Sequence, residues 1–140
     1  MRTRQAGMAV IETILFGMLL LVPLMWALGV LADLHKSALA ATSAAREAGF
    51  DAAAADDLAG AARAVDEAVT RAFVDQGLDP SRARVEWNAS SDLARGSEVE
   101  VEVAYPVSVA QAPILGSLAG PSIWVNAHHS ARSDPFRSLE

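Results

Sequence analysis

The chain has 140 residues, a formal net charge of −6, no cysteine, and 52% hydrophobic but only 6% aromatic residues. The lack of cysteine removes disulfides and thiol chemistry, and net acidity with no basic stripe beyond the first residues argues against nucleic acid as a partner. Much of the apolar fraction is alanine, so the length fits one membrane segment and one small domain.

Residues 1–7 form a short basic leader containing Arg2 and Arg4 and no acid. Positive charge beside an apolar run holds that flank in the cytoplasm, which places residues beyond Ala32 outside. Thr13 to Ala32 is twenty residues without a charge. As a helix it spans about 30 Å, the thickness of the hydrocarbon layer. A cleaved secretory signal is the rival reading, with a cut after Ala32 and small residues available from Ala38 to Ala45, but its apolar core is ordinarily shorter. Gly17, Pro23 and Gly29 interrupt the run. Proline usually kinks a helix yet is tolerated in membranes, and the glycines are common there.

Glu12 stands at the head of this run. An ionised carboxylate within hydrocarbon costs about 2.5–3.5 kcal/mol at mid-bilayer, so such a residue either has a partner or stays hydrated at the cytoplasmic interface. Asp33, His35 and Lys36 mark the outer interface. From Leu34 to about Gly49 the residues are strong helix formers without a breaker, so the membrane helix is expected to continue outward. The acidic passage Asp51–Asp57 reads as a break. Asp57 then caps a second helix whose buried stripe is Leu58, Ala61, Ala62, Val65, Val69, Ala72 and Phe73. Arg63/Glu67 and Glu67/Arg71 have the spacing of surface ion pairs, and Gly77 and Pro80 close the helix.

After Pro80 the period becomes two. Arg84–Trp87 is a short strand candidate and Asn88–Gly96 a turn region, in which Asn88-Ala89-Ser90 matches a glycosylation sequon. In Ser97–Val107, Val99, Val101, Val103 and Tyr105 alternate with Glu98, Glu100 and Glu102, the pattern of a half-buried strand. The glutamates fit a solvated sheet face better than a cation site, because loop ligands are lacking. Residues 106–121 are a Pro/Gly-rich connection whose Ile114, Leu115 and Leu118 are expected to pack on the sheet, ahead of the membrane surface or a partner. Ser122–Arg132 is a last strand on which the neighbouring His128 and His129 point to opposite faces, a poor arrangement for one metal ion. The tail from Ser133 is expected to fray. Val85, Val99, Val101, Val103, Ile123 and Val125 are the expected buried sheet residues. No catalytic constellation, phosphate loop or metal-ligand cluster is present in the sequence, so neither an enzyme nor a bound cofactor or metal is expected.

Gly7 followed five residues later by Glu12, at the mouth of an apolar helix, resembles the processing site of type IV pilins. The basic leader, Gly7–Glu12, Ala44–Gly49 (AAREAG), Val99–Val107 (VEVEVAYPV) and the closing strand IWVNAHHSAR together resemble the TadE-like minor pilins of the tight-adherence (Flp) pilus. That resemblance covers nearly the whole chain, and its N-terminal part is the more specific. It implies cleavage after Gly7 by a prepilin peptidase, methylation of Met8, and a Glu12 carboxylate that meets the N-terminal amine of a neighbouring subunit. The partners it implies are the Flp-type major pilin, other minor pilins, an inner-membrane assembly platform and membrane lipid. The helix after Leu58 and the doubled histidine are not matched to the family.

The expected architecture is α+β. It comprises a cytoplasmic leader (1–7), a transmembrane helix (8–34), an extracytoplasmic helical region (35–79) and a small antiparallel sheet (80–140). A single-pass anchor carrying an extracytoplasmic binding domain is the alternative function.

Overall fold

A computed structural model describes residues 3–89, 93, 96–109 and 121–133, with side chains from residue 8 onward. The elements are α1 (Thr3–Ala54), α2 (Leu58–Asp75), a 3₁₀ turn (Pro80–Arg82), and strands β1 (Arg84–Ala89), β2 (Glu98–Ser108) and β3 (Ser122–Arg132). The strands form one antiparallel sheet in the order β1-β2-β3, so the chain is α+β, as its change of period implies.

α1 is longer at both ends than the sequence indicates. Its 52 residues begin inside the basic leader and run through Pro23 and through Asp51 to Ala54. The break is confined to residues 55–57, because Ala52 and Ala53 are buried and continue the apolar face. The outer half of α1 is one wall of the core. Ala40, Ala41, Ala44, Ala45, Ala48 and Ala52 are all at most 1% exposed, and α1 packs against α2, β2 and β3. With only a methyl group at each contact, helix and sheet can approach closely, toward the short end of the ~8–10 Å range for packed helices.

α2 begins at Asp57, whose Oδ1 accepts from the Gly60 amide at 2.6 Å. Its C-terminus is a Schellman closure: the Leu78 amide donates to Phe73 O, the Gly77 amide donates to Val74 O, and Gly77 takes φ +63°. That reversal needs left-handed backbone, which glycine adopts without steric cost. The buried stripe is Ala61, Val65, Ala68, Val69, Ala72 and Phe73. Ala68 therefore replaces Ala62 and Leu58, which are exposed; the sheet and α1 cover a slightly different arc of the helix. Phe73 is the bulkiest fully buried side chain and stacks on Tyr105 of β2, with centroids 4.8 Å apart. Beyond α2, Asp79 caps the 3₁₀ turn; the Ser81 hydroxyl and then the Ser81 amide hold its carboxyl below the ordinary aspartate value.

The expected ion pairs around Glu67 give way to others. Arg71 reaches across to α1, 3.6 Å from Glu47 and 3.4 Å from Asp51, while Arg63 donates to the Ala59 carbonyl. Both Arg71 pairs are half-exposed and contribute at most about 1 kcal/mol.

The inner sheet face carries Val99, Val101, Val103, Tyr105 and Val107, all buried, with Val85, Trp87, Val125 and Ala127 half-buried around them. Asn88 and Ala89 belong to β1 rather than to a turn, since they pair with Glu100 and Val99. Ile123 lies in register on the inner face opposite Val107 but is 46% exposed. It lies at the end of the sheet, next to the last pair, Ser108 and Ser122. Leu93, between β1 and β2, is buried with φ 56°. Arg2, the Ser90 of the sequon, the apolar residues Ile114, Leu115 and Leu118, and the tail after Ser133 lie outside the described residues.

Close packing on α1 makes two testable demands. Ala44→Leu should lower stability by about 1–3 kcal/mol through overpacking, whereas Ala62→Leu, on the open face of α2, should stay within about 0.5 kcal/mol. A Cβ at Gly49 would lie 2.9 Å from His129 Cδ2, so Gly49→Ala should destabilise and His129→Ala should recover much of that loss. Denaturation of the full chain in mild detergent, with the double mutant included, measures both.

Candidate membrane and assembly surface

Among the described residues, the N-terminal half of α1 takes no part in the core. The stretch starting at Met8 is long and apolar enough to cross a membrane, and none of its most apolar window is buried within the chain. Val10, Ile11, Leu15, Leu19, Leu20 and Leu24 are each more than half exposed. So much uncovered aliphatic surface on one rod is unfavourable in water, and apolar patches of this size mark a membrane or protein partner.

The sequence-derived site residues lie at the free end of this rod. Gly7 and Met8 are consecutive residues of continuous helix, as is Arg4, and Met8 is 71% exposed. Glu12 is exposed one turn further on, and among the described residues its carboxylate has no ion-pair or hydrogen-bond partner. Thr13 beside it is satisfied locally, its hydroxyl donating to the Ala9 carbonyl at 2.8 Å. Met8 and Glu12 thus share a helix face one turn apart, which follows from their i,i+4 spacing. Glu12 and Asp33 bracket the charge-free run, and 21 residues of helix separate them by about 31 Å. The rod therefore has one carboxylate near each boundary of a bilayer that it would cross.

Where the rod meets the head, the structure brings together residues that the sequence reading left apart. Leu21, Val22, Met25, Trp26, Gly29, Val30 and Asp33 of α1 and Ser108 at the end of β2 line a groove of about 420 Å³. Trp26 is half-buried, and its Nε1 is shielded from solvent with no hydrogen-bond partner among the described residues. A tryptophan toward one end of an apolar run is a usual aromatic marker of a membrane interface, a signal readable from the sequence alone.

On the outer sheet face, Glu86 pairs directly with Glu102, and Glu102 with His128. Asn88 and Glu100 complete a shallow depression there. Like charges placed opposite each other oppose strand pairing, and here both carboxylates stay exposed to water. His129 faces inward, its ring 5.1 Å from Phe50, so the two histidines do diverge. Among the described residues no three His, Asp or Glu side chains converge on one point.

Comparison with protein-family models, with curated proteins and with solved structures returns no match to this chain.

Membrane insertion gives a direct check on the rod. Leu20→Arg should reduce the carbonate-resistant fraction of the chain, since a central arginine costs about 2.5–3.5 kcal/mol. Glu12→Ala should leave that fraction unchanged or raised.

Proposed function

We propose that this chain is a non-catalytic minor pilin or pseudopilin of a tight-adherence type filament. In this reading it is held in the inner membrane by α1 with its head outside, and its leader is removed after Gly7. One observation carries the reading: the exposed apolar helix bears a carboxylate, Glu12, that nothing among the described residues uses, five residues after a glycine that could be a cleavage point. The exposure of Met8 and Glu12, without a contact to the core among the described residues, supports this reading.

Cleavage would free an α-amine on Met8, cationic at neutral pH because its reference pKa is about 7.7–8.0. Within one helix that amine and the Glu12 carboxylate are a turn apart with fixed orientations. A neighbouring subunit displaced along a filament axis can instead bring its own amine to Glu12. The register is enforced by penalty, because an unpaired buried charge costs about 3–5 kcal/mol while the pair itself adds little.

Intact mass of the native protein should be lower than that of the full chain by residues 1–7, and Gly7→Arg should leave the precursor uncut. Glu12→Ala should still be inserted and processed, but its recovery in sheared surface pili, or its crosslinking to other pilins, should fall by about tenfold or more, given the penalty for a lone buried amine. Normal assembly of Glu12→Ala together with processing of Gly7→Arg would sink the pilin reading in favour of a single-pass anchor with an extracytoplasmic binding domain. Arg2 and Arg4 should hold the N-terminus inside, so protease added outside the inner membrane should digest the head.

A further inference from the structure

A groove between α1 and the tip of β2 joins the apolar rod to the polar head. Its walls grade in polarity along α1. Leu21, Val22 and Met25 form the inner part, Trp26, Gly29 and Val30 the middle, and Asp33 with Ser108 the outer rim. From Trp26 to Asp33 is seven residues, about 10 Å of helix. Asp33 is exposed and has no cation paired with it among the described residues. Arg82 lines the neighbouring depression together with Asp33. Its guanidinium is already committed, donating to the Pro106 carbonyl and lying 5.5 Å above the Tyr105 ring. The middle of the groove is open: a Cβ added at Gly29 would meet nothing within 4 Å.

The geometry points to a binding site for one membrane phospholipid whose headgroup carries a primary amine. The order of chemistry along the groove matches the order along such a lipid. Aliphatic walls suit the upper acyl chain. The Trp26 Nε1–H, after a small turn of the ring, is a donor for a glycerol ester or phosphate oxygen. The Asp33 carboxylate accepts from the ammonium, and Ser108 lines the same rim. A shielded indole N–H without an acceptor is unfavourable, and a lipid oxygen would supply one. An anionic headgroup lacking an amine would meet Asp33 with like charge. A choline headgroup has no N–H to donate to it. The site rests on α1 being a membrane anchor and is independent of filament assembly.

The test uses the full chain extracted in mild detergent and reconstituted in nanodiscs. These contain equal amounts of phosphatidylethanolamine and phosphatidylcholine over a constant phosphatidylglycerol background, and retained lipid is counted by native mass spectrometry. Wild type should retain phosphatidylethanolamine over phosphatidylcholine by about tenfold, the effect of one charge-assisted hydrogen bond. Asp33→Asn, a near-isosteric change at an exposed position, should abolish that preference. Trp26→Phe should weaken retention of both lipids, and Gly29→Leu, which fills open space, should remove both. A benzophenone side chain at Gly29 should crosslink to lipid. Equal retention by wild type, or Asp33→Asn and Gly29→Leu that behave as wild type, would overturn the site, as would a crosslink from Gly29 to a second protein chain. Recovery of the protein in the detergent-free soluble fraction would fail the anchor reading and the site together, whereas membrane recovery without lipid preference fails the site alone.

Discussion

The alanine stripe from Ala40 to Ala52 is the constraint on which the fold depends. One helix leaves an apolar rod and becomes the central wall of a small core without a break in its backbone. A wall of leucines in the same place would hold α2 and the sheet further away and leave the valine side chains of the sheet unable to close over it. Methyl groups let the three elements meet, and bulk is supplied from the far side by Phe73 stacked on Tyr105. Little apolar volume is spent on α1 itself, which explains how a chain so poor in aromatic residues still encloses a continuous core.

Several of the sequence features that suggest a family turn out to be packing features. In Ala44–Gly49 the three alanines are buried, Glu47 faces Arg71, Arg46 lies 5.8 Å from the Phe50 ring, and Gly49 is held against His129. That last contact joins two of the motifs, one on α1 and one on β3. The Tyr105 of the third motif receives Phe73. These motifs describe how a head is built on a long helix. Met8 and Glu12, by contrast, are exposed on α1 and belong to no core contact among the described residues.

The sequence made the strand faces legible because alternation along β2 is nearly perfect, and it made the start and end of α2 legible because Asp57, Gly77 and Pro80 each have a local reason to be there. It misplaced features set by distant residues. Whether Asp51 breaks a helix depends on whether Ala52 and Ala53 find a core, and local polarity does not reveal that. Ala62 and Ala68 are indistinguishable by type, and only the direction from which α1 and the sheet arrive selects between them. Arg71 prefers Glu47 and Asp51 over its own helix neighbour for the same reason. The groove at Trp26 requires Ser108, a residue more than eighty positions away in the chain, so no window of sequence contains it.

The unbroken backbone of α1 has a mechanical consequence. Because the rod and the core wall are one helix, no loop lies between them to act as a swivel, and a rotation about the helix axis turns the head by the same angle. Each residue of helix advances the azimuth by about 100°. The number of residues between Glu12 and Ala40 therefore fixes the compass direction in which the sheet faces relative to the carboxylate, as a key's bit is set relative to its bow. Adding or removing a single residue in that interval would leave both ends chemically intact and point them in incompatible directions.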